Sequence, residues 1–287
     1  MREPAVAGTF YRRGKDILRE QVRDCFTHRL GPGKTPVLAS PGARRIRGAV
    51  FPHAGYEYSG MVAAHSAAAL AEDGFPPTFV IIGPNHRGWG SAVAVGTETF
   101  SMPMGKVEVD LKLARAIIGD GIEEDTVAHS EEHSLEVQLP FLQFFRGGFK
   151  IVPICMGDQD AGTARILGER IAAAARGQDI VVIASTDFTH CGAGYGHPPP
   201  RGMSAGDFAG QQDQKAIKRI LDMDPDGLVE TVKKERITMC GYGCVAAMLH
   251  ATKKMGATGA TLLKYSTSAD VSGDEDMAVG YGAFSIQ

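Results

Sequence analysis

The chain has 287 residues, 44% of them apolar, and 30 Lys+Arg against 33 Asp+Glu give a formal net charge of −3. That length and apolar share suit one large α/β domain over residues 1–287 with a sizeable core, and the near charge balance excludes a whole-molecule field that would draw nucleic acid or an anionic membrane. No apolar run approaches the roughly 20 residues needed to cross a bilayer, and the N-terminus carries no continuous apolar leader, so a cytoplasmic location is expected.

In chain order, apolar Ile17, Leu18, Val22 and Phe26 among charges mark a one-sided helix over Asp16–Leu30, ended by Gly31-Pro32-Gly33. The basic cluster Arg44-Arg45-Ile46-Arg47 reads as a solvated approach to the first central strand, Ile46–Phe51. An alanine-dense helix over Ser59–Leu70 follows, then a second central strand, Thr78–Ile82, whose unbroken apolar run implies burial on both faces. Short strands are expected at Ser91–Val95 and Lys106–Val109, with Asp110 capping a helix to Ile118. The run from His129 to Leu142 is expected to be helical, bent or interrupted at Pro140. Beyond it come strand Phe149–Ile154, helix Gly162–Ala175, buried strand Ile180–Ala184 and a loop or lid over Gly192–Gly206. Helices Asp207–Leu221, Pro225–Lys234 and Ala246–Met255, with strands near Thr261–Tyr265 and Ala278–Phe284, complete the pattern. Strands alternate with helices, so the class is α/β, a central mixed, mostly parallel sheet flanked by helices.

Three strand ends carry the chemistry. Ala49–Phe51 stops at Pro52-His53, Phe79–Ile82 runs into Gly83-Pro84-Asn85-His86, and Ile180–Ala184 runs into Ser185-Thr186-Asp187-Phe188-Thr189-His190. C-terminal strand tips are where an open α/β sheet presents its working groups, so these imidazoles are expected side by side. The five cysteines, Cys25, Cys155, Cys191, Cys240 and Cys244, form no Cys-x-x-Cys pair. A disulfide framework or zinc knuckle is therefore not expected, and a functional thiol would act singly. Imidazole with thiolate suits zinc, copper or iron better than magnesium or calcium; the competing chemistry is a hydrolytic Cys/His pair with Cys240 or Cys244 as nucleophile.

Two other patterns fail their own requirements. Gly241-Tyr242-Gly243-Cys244-Val245-Ala246 resembles a dinucleotide fingerprint, but no acidic residue follows until Asp270. Its glycines are expected instead to turn the backbone tightly and hold Cys240. His129-Ser130-Glu131-Glu132-His133 lacks the glutamate that must directly follow the first histidine of a zinc-protease helix. His133 and Glu136, three apart, would still share a helix face.

Taken together, Ala5–Tyr11, Pro52–Gly60, Gly83–His86, Glu132–Pro140, Ser185–His190, Cys240-Gly241, Thr267-Ser268, Gly273-Asp274 and Gly280-Tyr281 resemble the MEMO family, in the branch called AmmeMemoRadiSam system protein B. The resemblance runs almost end to end and implies the fold of the class III extradiol dioxygenases, which hold non-haem iron with two histidines and a glutamate. It implies His53, His86 and Cys240 as metal ligands, cysteine standing where the dioxygenases have glutamate, with iron(II) or copper favoured and zinc as a further candidate. His190 and Asp187 would handle protons, and His133, Glu136 and Tyr56 would line the ligand pocket. Cys244, where relatives commonly have proline, is a second thiol close to Cys240. A thiolate is softer than a carboxylate and itself oxidisable, so a redox reaction fits these ligands better than ring cleavage. The alternative is a non-catalytic scaffold gripping a peptide or small molecule. The branch name implies a pathway link to a radical S-adenosylmethionine protein and an AMMECR-type protein.

Overall fold

A computed structural model describes residues 1–287. The elements in the first half are α1 (Lys15–Thr27), β1 (Gly48–Phe51), α2 (Tyr56–Asp73), β2 (Thr78–Pro84), β3 (Val93–Val95), β4 (Glu108–Val109), α3 (Leu111–Ile117), β5 (Glu123–Glu124) and α4 (Leu139–Phe145). The second half adds β6 (Lys150–Met156), α5 (Ala161–Ala174), β7 (Ile180–Ser185), β8 (His190–Cys191), α6 (Ala205–Leu221), α7 (Pro225–Glu235), α8 (Tyr242–Lys254), β9 (Ala260–Thr267), α9 (Ala269–Ser272) and β10 (Ala278–Ile286). No helix is long and apolar enough to cross a membrane.

The strands form one sheet in the order β5-β3-β6-β2-β7-β1-β10-β8, with β4 on β6 and β9 on β10. Its centre, β6-β2-β7-β1, is parallel, while β3 and β10 join antiparallel on either side. The sheet is thus mixed and mostly parallel at its core, as the alternation of strands and helices predicts. Helices α1, α2 and α4 pack together on one side, and α3, α5, α7 and α8 on the other. With both faces covered, every residue of β2 and β7 is buried, which explains their unbroken apolar runs. A cluster of 75 buried apolar residues runs from Ala7 to Ile286.

Local rules account for most boundaries. Asp110 caps α3, its Oδ1 accepting from the Leu113 amide at 3.1 Å, and Asp160 and Ser204 cap α5 and α6 in the same way. The exception is the segment from His129 to Leu142. Only Val127–His129 and Glu136–Gln138 form 3-10 turns, and the α-helix begins at Leu139, with Pro140 in its first turn, where a missing N–H costs nothing. His133 therefore lies in a loop, and His133 and Glu136 do not share a helix face. That loop is held against β2 because Gly83 has no side chain: a Cβ there would sit 2.4 Å from Ser134 Oγ.

Candidate metal centre

Strands β1 and β2 are separated by β7, which puts their backbones about 10 Å apart. The His53 and His86 rings nonetheless approach to 5.1 Å between centroids, nearly perpendicular at 82°, by leaning over the end of β7. His133 comes from the loop opposite, stacked on His86 at 4.7 Å and 21° and 5.5 Å from His53. His53, His86 and His133 each offer a donor atom within 4.8 Å of the others, a cluster that could hold a metal ion.

The hydrogen-bond network assigns the tautomers. Ser185, the last residue of β7, donates its one hydroxyl proton to Ser134 O at 2.6 Å, so it accepts from His53 Nδ1 at 2.8 Å. His86 Nδ1 donates to Glu132 Oε1 at 3.0 Å, and the same oxygen lies 3.4 Å from His133 Nδ1. His53 and His86 thus carry their proton on Nδ1 and leave the Nε2 lone pair available, the arrangement in which an acceptor behind the ring fixes a metal-binding histidine. Burial pushes Glu132 up, but the hydrogen bond and charge of His86, then the charge of His133, bring it down to about 2, so it is a carboxylate at neutral pH. Burial lowers His53 well below its usual value, helped by the neighbouring histidines, and lowers His133 to about 4. Neutral imidazoles are the form that ligates. Glu132→Gln should weaken metal affinity ~10- to 100-fold, the usual cost of losing an orienting carboxylate, read by competition with a chelator.

Cys240 precedes α8 and is brought in because Gly241 lies against β7, where a Cβ would meet Ser185 O at 2.5 Å. Its Sγ is 3.2 Å from His53 Nε2 and accepts from the Asp187 amide at 3.2 Å. Burial, then the charge of Asp187, raise its pKa, so without a cation it is a thiol. Cys244 is fully buried within α8. Asp187 accepts from the His53 amide at 2.7 Å, and burial raises its pKa. His190 Nδ1 lies 3.0 Å from both Phe188 O and Thr238 O, two acceptors that place its proton there and free Nε2.

His53, His86, His133, Asp187 and His190 all face one cavity of about 430 Å³. Glu136 and Tyr56 do not. The Glu136 carboxylate is fully buried on the far side of its turn, accepting from Arg2 Nη1 at 2.8 Å, Tyr11 OH at 2.6 Å and two backbone amides. Tyr56 is spent on Val137 O at 2.6 Å. The cavity is lined instead by Tyr58, nearly opposite Tyr56 around the helix, and by Phe10, which packs edge-on against His133 at 4.8 Å. Glu132, Tyr58 and Phe10 received no site role from the sequence, although Glu132 stands beside His133 and all three fall within the MEMO-like motifs.

The turn carrying Asp187 and His190 rests on Asp213, which accepts from Thr189 N at 2.9 Å and Tyr265 OH at 2.7 Å. Burial raises this carboxyl from 3.8 to about 6 against the pull of those bonds. The folded state holds the proton where the unfolded state has released it, so this carboxyl's own contribution to stability falls as pH rises from about 4 to 6, opposite in sign to that of the buried His53, His129 and His133, whose lowered values make stability rise over the same window. Urea midpoints of metal-free protein across that window should therefore rise more steeply with pH for Asp213→Asn than for the unaltered chain.

The sequence pattern of the Memo-like protein family matches residues 2–285. This chain belongs to that family. It is 47% identical to a MEMO1 family protein of Methanopyrus kandleri over 98% of this chain and 97% of the relative. It is 46% identical to one of Methanothermobacter thermautotrophicus over 99% and 100%. An uncharacterised Escherichia coli K12 protein of known structure shares the fold, with a TM-score of 0.56 at 14% identity over 84% of this chain and 99% of that one. Family membership thus extends over the elements that deliver every residue of the histidine cluster, from β1 through α8.

Proposed function

We propose that this family member binds a transition metal, iron(II) or copper before zinc, through His53 Nε2, His86 Nε2 and Cys240 Sγ, and acts as an oxidoreductase on a small ligand held in the adjoining cavity. The observation that carries this reading is the set of imidazoles fixed through Nδ1 with their Nε2 lone pairs free. Cys240 is preferred to His133 as third ligand on two grounds. Its sulfur is 3.2 Å from His53 Nε2, near the ~3.5 Å nitrogen–sulfur edge of a tetrahedral site. The His133 ring is almost parallel to His86, and lone pairs in parallel planes do not converge on one ion ~2 Å away.

When bound, such an ion supplies Lewis acidity and, as iron or copper, a one-electron couple. The chain's own residues do the rest. His190 presents Nε2 to the cavity as a proton acceptor, held in that tautomer by two carbonyls. Asp187 braces the His53 backbone and leaves its second oxygen towards the ligand. Phe10 and Tyr58 wall the cavity. Elemental analysis of protein purified without oxygen should find about one iron or copper per chain. Folded, metal-free protein that captured ligand equally well would instead support the non-catalytic scaffold.

A further inference from the structure

The cavity carries a charge pattern that ligand recognition must obey. Its lining includes two carboxylates, Asp187 and Asp274, and no lysine or arginine. Arg87, the cation whose charge reaches His133, lies outside and faces Glu131 at 3.6 Å. Beside four imidazoles, the lining includes flat and apolar walls, among them Tyr58, Tyr195, Met277 and Tyr281.

Both carboxylates keep an oxygen in reserve. Asp274 lies in the connection from α9 to β10, where its Oδ1 accepts from the amides of Asp276 at 2.8 Å and Met277 at 3.0 Å while Oδ2 accepts none. Asp187 is 4% exposed, and its Oδ2 has no hydrogen-bond partner, the nearest imidazole nitrogen being His53 Nε2 at 3.9 Å. A carboxylate oxygen open to a cavity is an acceptor that a ligand or water can fill.

We propose that the cavity selects a ligand with an aromatic body and a cationic amine head, the head pairing with Asp274 Oδ2 and the body lying between the tyrosines. This rests on the reading of the cavity as the ligand site of the metal centre. Asp274 takes the head because Asp187 adjoins His53, where a bound cation repels a second one, whereas Asp274 makes no hydrogen bond or ion pair with the histidines. An ammonium on a half-buried carboxylate is a charge-assisted bond, and tyrosine faces favour cations further. At the Asp274 end, away from the metal ligands, an anionic head would meet a like charge and no lysine or arginine.

The test is calorimetric titration of oxygen-free purified protein with tyramine and with 3-(4-hydroxyphenyl)propionate, which share a ring and differ in the sign of the head. Tyramine should bind at least about tenfold tighter. Asp274→Asn keeps the Oδ1 acceptor that orders the loop and should remove most of that preference with metal content and melting temperature unchanged. Equal affinity, preference for the acid, failure of both probes to bind, or a preference that survives Asp274→Asn would each overturn the proposal. Metal is measured on the same samples, so a tyramine preference in metal-free protein would sink the metal reading while leaving this one standing.

Discussion

His53→Ala should strip protein purified without oxygen of its metal, from about one ion per chain to none. The side chain is 2% exposed and its ring is the one that meets both His86 and Cys240. Structural zinc sites gain on the order of 10–16 kcal/mol from about four ligands, so one ligand is worth roughly 3 kcal/mol and its loss at least ~100-fold in affinity. Two further variants locate the third ligand. Cys240→Ser should cost nearly as much as His53→Ala, because the sulfur lies 3.2 Å from His53 Nε2. His133→Asn should cost less, because the stacked ring supports His86 without converging on the same point. The reverse order would move the third ligand to His133. Elemental analysis with circular dichroism decides, since a variant that retains its spectrum and loses its metal has lost a ligand and not a fold.

Arg2→Met should destabilise the chain by about 3–5 kcal/mol, the range for removing one partner of a buried ion pair. Arg2 and Glu136 have side chains 3% and 0% exposed, so solvent does not screen the loss. The guanidinium also donates to His129 O and Glu132 O, and removing it frees two carbonyls in the segment that carries His133. Urea unfolding measures the effect, and a change below about 1 kcal/mol would show that the carboxylate is satisfied by Tyr11 and the backbone amides alone. Glu136→Gln in the Arg2→Met background should recover part of the loss, because it removes the buried charge and keeps an acceptor.

The strand-end histidines were legible because three signals coincide at them: a buried β run, a Pro or Gly stop, and an imidazole. The parallel sheet core was legible for the same reason, its strands being apolar without interruption. What failed to show was decided by contacts distant in sequence. Glu136 reads as a pocket residue because it sits three positions from His133, yet the turn between them is not helical and the carboxylate is consumed by Arg2, 134 residues away. Tyr56 and Tyr58 are both aromatic at the start of one helix, and only the direction of α2 against Phe141 and Tyr11 tells which is inside. Glu132 looked like one acid among several, and its role depends on β2 bringing His86 beneath it. Nothing local to Met1-Arg2-Glu3 marks Arg2 as buried.

The tie between Arg2 and Glu136 also orders events in time. A ribosome adding about 5–20 residues per second makes Glu136 roughly 7–27 s after Arg2, given their separation of 134 residues. Throughout that interval β1 has neither of its sheet partners, β7 and β10, which lie later in the chain, and the segment bearing Phe10 lacks the Glu136 carboxylate that accepts from the amides of Ala5 and Val6. Cys240 trails His53 by a further stretch, 187 residues in all. The thiol thus reaches a nascent chain after His53, His86 and His133, with the Ser268–Tyr281 part of the cavity wall later still, and an ion arriving early would meet histidines without their sulfur neighbour.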